Sequence, residues 1–203
     1  MKVVFLGWKR NKLKKYLLDC EKLAEKFVKK GYDLYTGGGD GFMKMGNKGA
    51  FNIDPNKSYG ITTDCIFGKE GDNPYIKKDK LQVTKTFSIR KKLLFQDANI
   101  LVFFPGGMGT LDEFTDIMNL IKTGEFKPVK IYLYGRKYWN SLISWFEFNK
   151  IKFPHQYITN IFDNVSDFDS IFNGKLQIYD NSEKDDTSFD ELINKLLGEF
   201  NID

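Results

Sequence analysis

The sequence is poor in the residues on which several large function classes depend. It holds one histidine and two cysteines in 203 residues. Cys20 and Cys65 show no metal-ligand spacing, so a zinc site and a disulfide scaffold are unsupported. The sole histidine, His155, follows Pro154 and lies outside the glycine-rich stretches, which argues against a His-dependent triad. No apolar run approaches the ~20 residues needed to cross a bilayer. The opening segment, Met1 to Gly7, is apolar over too few positions for a secretory signal. A soluble, reduced, cytoplasmic protein is the expectation. Charge of one sign is also lacking: 31 basic against 27 acidic residues give a net charge of +4, mixed along the chain. Such a balance does not point to nucleic acid or a membrane surface and suits a small anionic ligand. No Gly-x-x-x-x-Gly-Lys-Ser/Thr loop is present, and no lysine stands out as a Schiff-base partner for pyridoxal phosphate.

What the chain does have is an aromatic core composition, with 19 Phe and 10 Tyr in a sequence that is 41% hydrophobic. Its length suits one compact domain over residues 1–203. Short apolar runs alternate with helical periodicity. Strands are expected at Val3–Leu6, Asp33–Thr36, Tyr59–Thr63, Leu81–Thr86, Ile100–Phe104 and Val129–Tyr134. Helices are expected at Leu13–Val28, Phe42–Phe51, Ser88–Ala98, Leu111–Lys122 and Tyr138–Phe148. Gly68–Lys80 reads as a surface loop over the site. Short apolar pieces follow at 158–165 and 168–172, with a further strand at Leu176–Tyr179 and a closing helix at Phe189–Phe200. The alternation predicts a Rossmann-like α/β fold, a parallel sheet with helices on both faces. Its ligand should lie beyond the carboxyl ends of the strands, where the loops after residues 6, 36 and 104 converge.

The most informative stretch is Pro105-Gly106-Gly107-Met108-Gly109-Thr110-Leu111-Asp112-Glu113, directly after the buried strand Ile100–Phe104. Free amides at a helix start, at the positive end of the helix dipole, hold an anion without a basic side chain. Glycines at 106, 107 and 109 allow close approach, and Thr110 can cap the helix or bond a phosphate oxygen. Two roles are open to Glu113: the far half of a capping box with Thr110, or a catalytic carboxylate. Arg90 and Lys91 sit on a helix with core-facing neighbours, so ordinary solvated charge is one reading of them. The turn Gly37-Gly38-Gly39-Asp40-Gly41 is a partial dinucleotide fingerprint with Phe42 in the third glycine position, which is poor support for NAD. Asp116 falls one turn after Glu113, and Asp112 suits the helix dipole.

These segments, in this order, resemble the LOG family, the cytokinin-activating phosphoribohydrolases often labelled lysine decarboxylases. Pro105 to Glu113 is similar to its Pro-Gly-Gly-x-Gly-Thr-x-x-Glu signature. Thr36 to Met43 with Asn47 to Ala50, the pair Arg90-Lys91, and Leu120 to Gly124 with Lys127-Pro128-Val129 agree as well, so the resemblance spans residues 3–165 and leaves a C-terminal extension at 173–203. It implies Glu113 and Arg90 as catalytic residues. It implies Gly106, Gly107, Met108, Gly109 and Thr110 around the phosphate, and Gly37, Gly38, Gly39 and Met43 along the nucleotide. Lys91 would contact phosphate and Asp116 the base, while Gly7 and Arg10 match positions after the first strand. Trp8 departs from the family, which has serine there. The implied activity is hydrolysis of a nucleoside 5′-monophosphate, AMP or an N6-modified cytokinin ribotide, by a homodimer without metal or organic cofactor. The alternative is a nucleotide sensor or cofactor carrier of the same fold, without turnover.

Overall fold

The structure, a computed structural model, describes residues 1–9, 14–66 and 73–174. Seven strands form one sheet in the order β4-β3-β2-β1-β5-β6-β7, and every pairing is parallel. The strands are β1 (Lys2–Leu6), β2 (Asp33–Thr36), β3 (Ser58–Thr63), β4 (Leu81–Thr84), β5 (Ala98–Phe103), β6 (Lys130–Tyr134) and β7 (Asn160–Phe162). The helices are α1 (Lys14–Lys29), α2 (Phe42–Ile53), α3 (Phe87–Phe95), α4 (Met108–Thr123), α5 (Arg136–Phe148) and α6 (Phe168–Phe172). The predicted Rossmann-like α/β class is the one observed.

The central strands β1, β5 and β6 carry nearly continuous apolar runs because both sheet faces are covered. Side chains alternate between faces along a strand. Val3 and Phe5 of β1, Ile100 and Val102 of β5, and Tyr132 and Tyr134 of β6 join α1, α2 and α6 in one core. Val4 and Leu6, Leu101 and Phe103, and Ile131 and Leu133 join α3, α4 and α5 in the other. The edge strand β4 has Gln82 and Val83 exposed, so it lacks the continuous apolar run of the central strands.

On the first face α1 and α2 pack so closely that a Cβ on Gly49 would stand 2.1 Å from the Glu21 carbonyl oxygen and 3.0 Å from the Ala24 methyl. Neither neighbour is a free side-chain end. Gly49→Ala should therefore force the helices apart and cost about 2–3 kcal/mol, the upper part of the overpacking range, read as a lower urea midpoint.

Sheet order also fixes where a ligand can sit. The chain runs outward from β1 to β4, then returns to place β5 on the other side of β1. This reversal opens a crevice beyond the carboxyl ends of β1 and β5. Three helix starts differ from expectation. α4 begins at Met108 rather than Leu111, α5 at Arg136 rather than Tyr138, and α3 at Phe87, where Thr86 caps it by accepting from the Ile89 amide. The strand expected at Leu176–Tyr179, the helix at Phe189–Phe200, Arg10 and residues 68–72 of the expected loop lie outside the described residues.

Candidate active site

A cavity of about 280 Å³ occupies the predicted crevice. Gly7, Trp8 and Lys9 after β1, Gly37 after β2 and Gly107 to Thr110 after β5 line it, together with Met43, Ile66, Phe87, Arg90 and Glu113. The three loops expected to converge do so.

The glycine turn after β5 is held from two sides. The Tyr138 hydroxyl on α5 donates to the Gly106 carbonyl at 2.7 Å. Thr110 packs beneath it, so that a Cβ on Gly106 would lie 2.1 Å from Thr110 Oγ1. Gly107 is the N-cap of α4 and supplies no side-chain cap. Its carbonyl accepts the amides of Thr110 at 3.0 Å and Leu111 at 3.1 Å. The amides of Met108 and Gly109 have no acceptor among the described residues and open the first turn. Thr110 is thus the third residue of the helix, not its cap. The reason is that Gly107, free of a side chain, takes the cap position and the helix absorbs Met108 and Gly109. Thr110 is 5% exposed, lines the cavity, and its hydroxyl has no partner among the described residues. A hydroxyl without a protein partner, open to the cavity beside two open amides, is an arrangement an anion can complete.

Removing the Tyr138 hydroxyl should loosen this turn. Tyr138→Phe leaves the Gly106 carbonyl without its donor and should cost about 1 kcal/mol of stability, measured by urea denaturation.

Placing the helix start at Met108 also settles Glu113's local role. Residue 110 being inside α4, no capping box forms, and the Glu113 carboxylate makes neither hydrogen bond nor ion pair among the described residues. Burial raises its pKa from 4.5 to about 7, against the Arg90 charge that lowers it; Asp112 adds to the rise and Lys91 opposes it. The side chain keeps partial contact with solvent through the cavity. A carboxyl poised near neutrality in a cleft is the usual state of a group that moves protons or meets developing charge.

Arg90, on α3, is 8% exposed. Its Nε donates to the Ile61 carbonyl at 2.9 Å and its Nη2 meets Met43 Sδ at 3.8 Å. The guanidinium also lies 5.8 Å from the Phe87 ring centroid. Nη1 is left without a partner among the described residues. No ion pair joins Arg90 to Glu113, so their coupling is through space.

Other expected site residues are placed elsewhere. The Lys91 ammonium bridges Asp112 at 3.0 Å and Asp116 at 2.9 Å, tying α3 to α4, and neither Lys91 nor Asp116 lines the cavity. Gly38, Gly39 and Gly106 shape the turns without lining it. Asn47 stands behind the first turn, accepting from Thr36 Oγ1 at 2.6 Å and donating to Ser58 Oγ at 2.9 Å. Asn73 reaches from the expected covering loop to Asn47 Oδ1 at 3.0 Å, so the described part of that loop braces the turn. Phe87 could have been found from its place three residues before Arg90, which shares its helix face. Tyr138 carried no local signal, being 32 positions from the carbonyl it binds.

The family described as a possible lysine decarboxylase matches residues 43–172, more than half of the chain. The chain belongs to this LOG-like family. A solved structure named TM1055, a structural-genomics target, superposes with a TM-score of 0.58 at 22% identity, covering 85% of this chain and 98% of its own. A molybdenum cofactor binding protein from Rippkaea orientalis follows at 0.56 and 17%, covering 85% and 94%. The molybdenum cofactor carrier protein of Chlamydomonas reinhardtii gives 0.58 and 18%, covering 86% and 97%. At these identities the structures speak to the shared fold. No curated protein matches the chain. Among the described residues, no helix of this family member is long and apolar enough to cross a membrane.

Proposed function

We propose that the protein is a phosphoribohydrolase that splits a nucleoside 5′-monophosphate, AMP or an N6-modified AMP, into free base and ribose 5-phosphate. The carrying observation is that Glu113 and Arg90 line the same cavity as the open amides of Met108 and Gly109. In the proposed reaction the phosphate docks on those amides and the Thr110 hydroxyl, which sets the ribose against the wall holding Glu113. Water adds across the bond between the anomeric carbon and the base nitrogen: the hydroxyl goes to the sugar and a proton to the departing base. The Glu113 carboxylate stabilises oxocarbenium character at the anomeric carbon and orients that water. Arg90 holds the nucleotide, and its charge opposes the rise that burial gives the Glu113 pKa.

The test is incubation with AMP, other nucleoside monophosphates and isopentenyl-AMP, read by chromatography for released base. The second reading, a carrier or sensor without turnover, draws on Trp8 and on the cofactor carriers among the structural neighbours. Nucleotide binding with no base released from any substrate tested would select it. Against it stands the Arg90 and Glu113 pair, which a simple binder does not need.

The proposal includes a homodimer. Val83, Phe87 and Ile89 on β4 and α3 are exposed apolar side chains at 40%, 49% and 45%, Phe87 on the cavity wall, and a second copy would bury them. Light scattering should give twice the chain mass, and a charge at Ile89 should halve it.

A further inference from the structure

Trp8 is held by its backbone between the two glycine turns. Its amide donates to the Pro105 carbonyl at 3.3 Å, and its carbonyl accepts the Phe42 amide at 3.2 Å. Gly41 packs against it so tightly that a Cβ there would lie 2.4 Å from the Trp8 oxygen. Little freedom remains for where the indole starts. The ring lies against the anion turn with its N–H edge foremost: Nε1 is 3.8 Å and Cδ1 4.0 Å from where a Cβ on Gly107 would stand. Trp139 shows what a settled indole does here, donating its Nε1 to the Tyr134 carbonyl at 3.1 Å. The Trp8 Nε1 has no acceptor among the described residues, and the side chain is 41% exposed. An open donor therefore stands beside the open amides of Met108 and Gly109 and the cavity-facing hydroxyl of Thr110, which has no partner among the described residues.

We propose that Trp8 determines specificity at this site by donating its indole N–H to the anionic group docked on the Gly107–Thr110 turn. A phosphate monoester suits the arrangement, because its three terminal oxygens can meet amides, hydroxyl and indole from different directions. A carboxylate offers two oxygens in one plane and would leave a donor unmet. The indole binds the phosphate end of the ligand, not its base. The inference rests on the anion-docking half of the proposed site and is independent of hydrolysis.

Calorimetric titration of wild type and Trp8→Phe with ribose 5-phosphate and with adenosine tests it, since phenylalanine keeps an aromatic ring and removes the donor. Ribose 5-phosphate affinity should fall about tenfold, the low end of the worth of a hydrogen bond to a charged group, with adenosine affinity unchanged. Unchanged ribose 5-phosphate affinity, or loss of adenosine binding instead, overturns the proposal; so does a wild type that binds no ribose 5-phosphate. A second measurement needs no change at position 8. In a Trp145→Phe background the exposed indole emission belongs to Trp8, Trp139 being fully buried. Saturating ribose 5-phosphate should shift that emission, and an unchanged spectrum sinks the idea. If base is never released yet Trp8→Phe weakens ribose 5-phosphate binding, the hydrolase assignment falls and the indole assignment stands.

Discussion

Glu113→Gln should lose at least ~100-fold in the rate of base release while retaining nucleotide binding, the scale expected for a positioned acid-base group. The same variant should be more stable than wild type at pH 8. The sign follows from the pKa, which burial lifts from 4.5 to about 7. A carboxyl whose folded pKa lies above its unfolded value destabilises the fold as pH rises through that window, because the unfolded chain ionises first. Glutamine removes the conflict. Partial contact of the side chain with solvent discounts the full shift, leaving a gain on the order of 1–3 kcal/mol at pH 8, and largely absent at pH 5. Activity should follow the opposite course: kcat/KM climbs with pH as Glu113 ionises and levels off above about 7. The phosphate of AMP titrates near pH ~6 and sets a separate limb, which base release from substrate held above that pH removes. Equal turnover by the glutamine variant would take Glu113 out of the mechanism, and a profile that falls through pH 7 would assign it the acid's role instead. Stability gained where activity is lost is the expected mark of a group placed for chemistry at a cost to the fold.

Gly37→Ala is the second large effect, and it acts at a distance from any bond being broken. A Cβ at residue 37 would stand 1.7 Å from Arg90 Nη2, and 2.8 Å from both its Cζ and Met43 Sδ. The guanidinium cannot yield without giving up the Ile61 carbonyl, and the helix carrying it is capped by Thr86. Displacement by about an ångström is enough to cost ~100-fold in kcat/KM when the displaced group holds the substrate. Overpacking should also remove about 1–3 kcal/mol of stability. A double-mutant cycle separates this route from general damage: in an Arg90→Ala background the added Gly37→Ala should change activity little, because its target is gone. Additive losses would show that Gly37 acts through the turn itself.

The two substitutions probe different halves of the choice between hydrolase and carrier. A carrier keeps its amides and its glycine turns but has no use for a carboxylate held against its own desolvation. The cofactor-binding neighbours share the fold at 17% and 18% identity, which leaves that choice to the cavity and its assay.

Much of the architecture was legible before any coordinates. The runs at Val3–Leu6 and Ile100–Phe104 are uniformly apolar because both sheet faces are covered, and that uniformity announces a parallel sheet. The position of the crevice followed from the fold class together with the glycine turns, since loops after parallel strands share one edge. Boundaries were less legible. α4 starts at Met108 because Gly107 can cap without a side chain, a choice that composition does not announce, and it turned Thr110 from a cap into a residue of the cavity wall.

Local sequence therefore determined the order of elements and the two glycine turns, while the family resemblance, not the local pattern, singled out Glu113 and Arg90 as the charged pair worth following. Only the tertiary structure decided which charges reach the cavity. Arg90 and Lys91 are neighbours in sequence, yet a helix turns successive side chains by about 100°. One points beneath Gly37 into the crevice, and the other is claimed by Asp112 and Asp116 on α4. That division depends on how α3 and α4 pack against each other, as does the support Tyr138 lends to Gly106 from α5. Contacts between elements far apart in the chain leave no trace in local pattern.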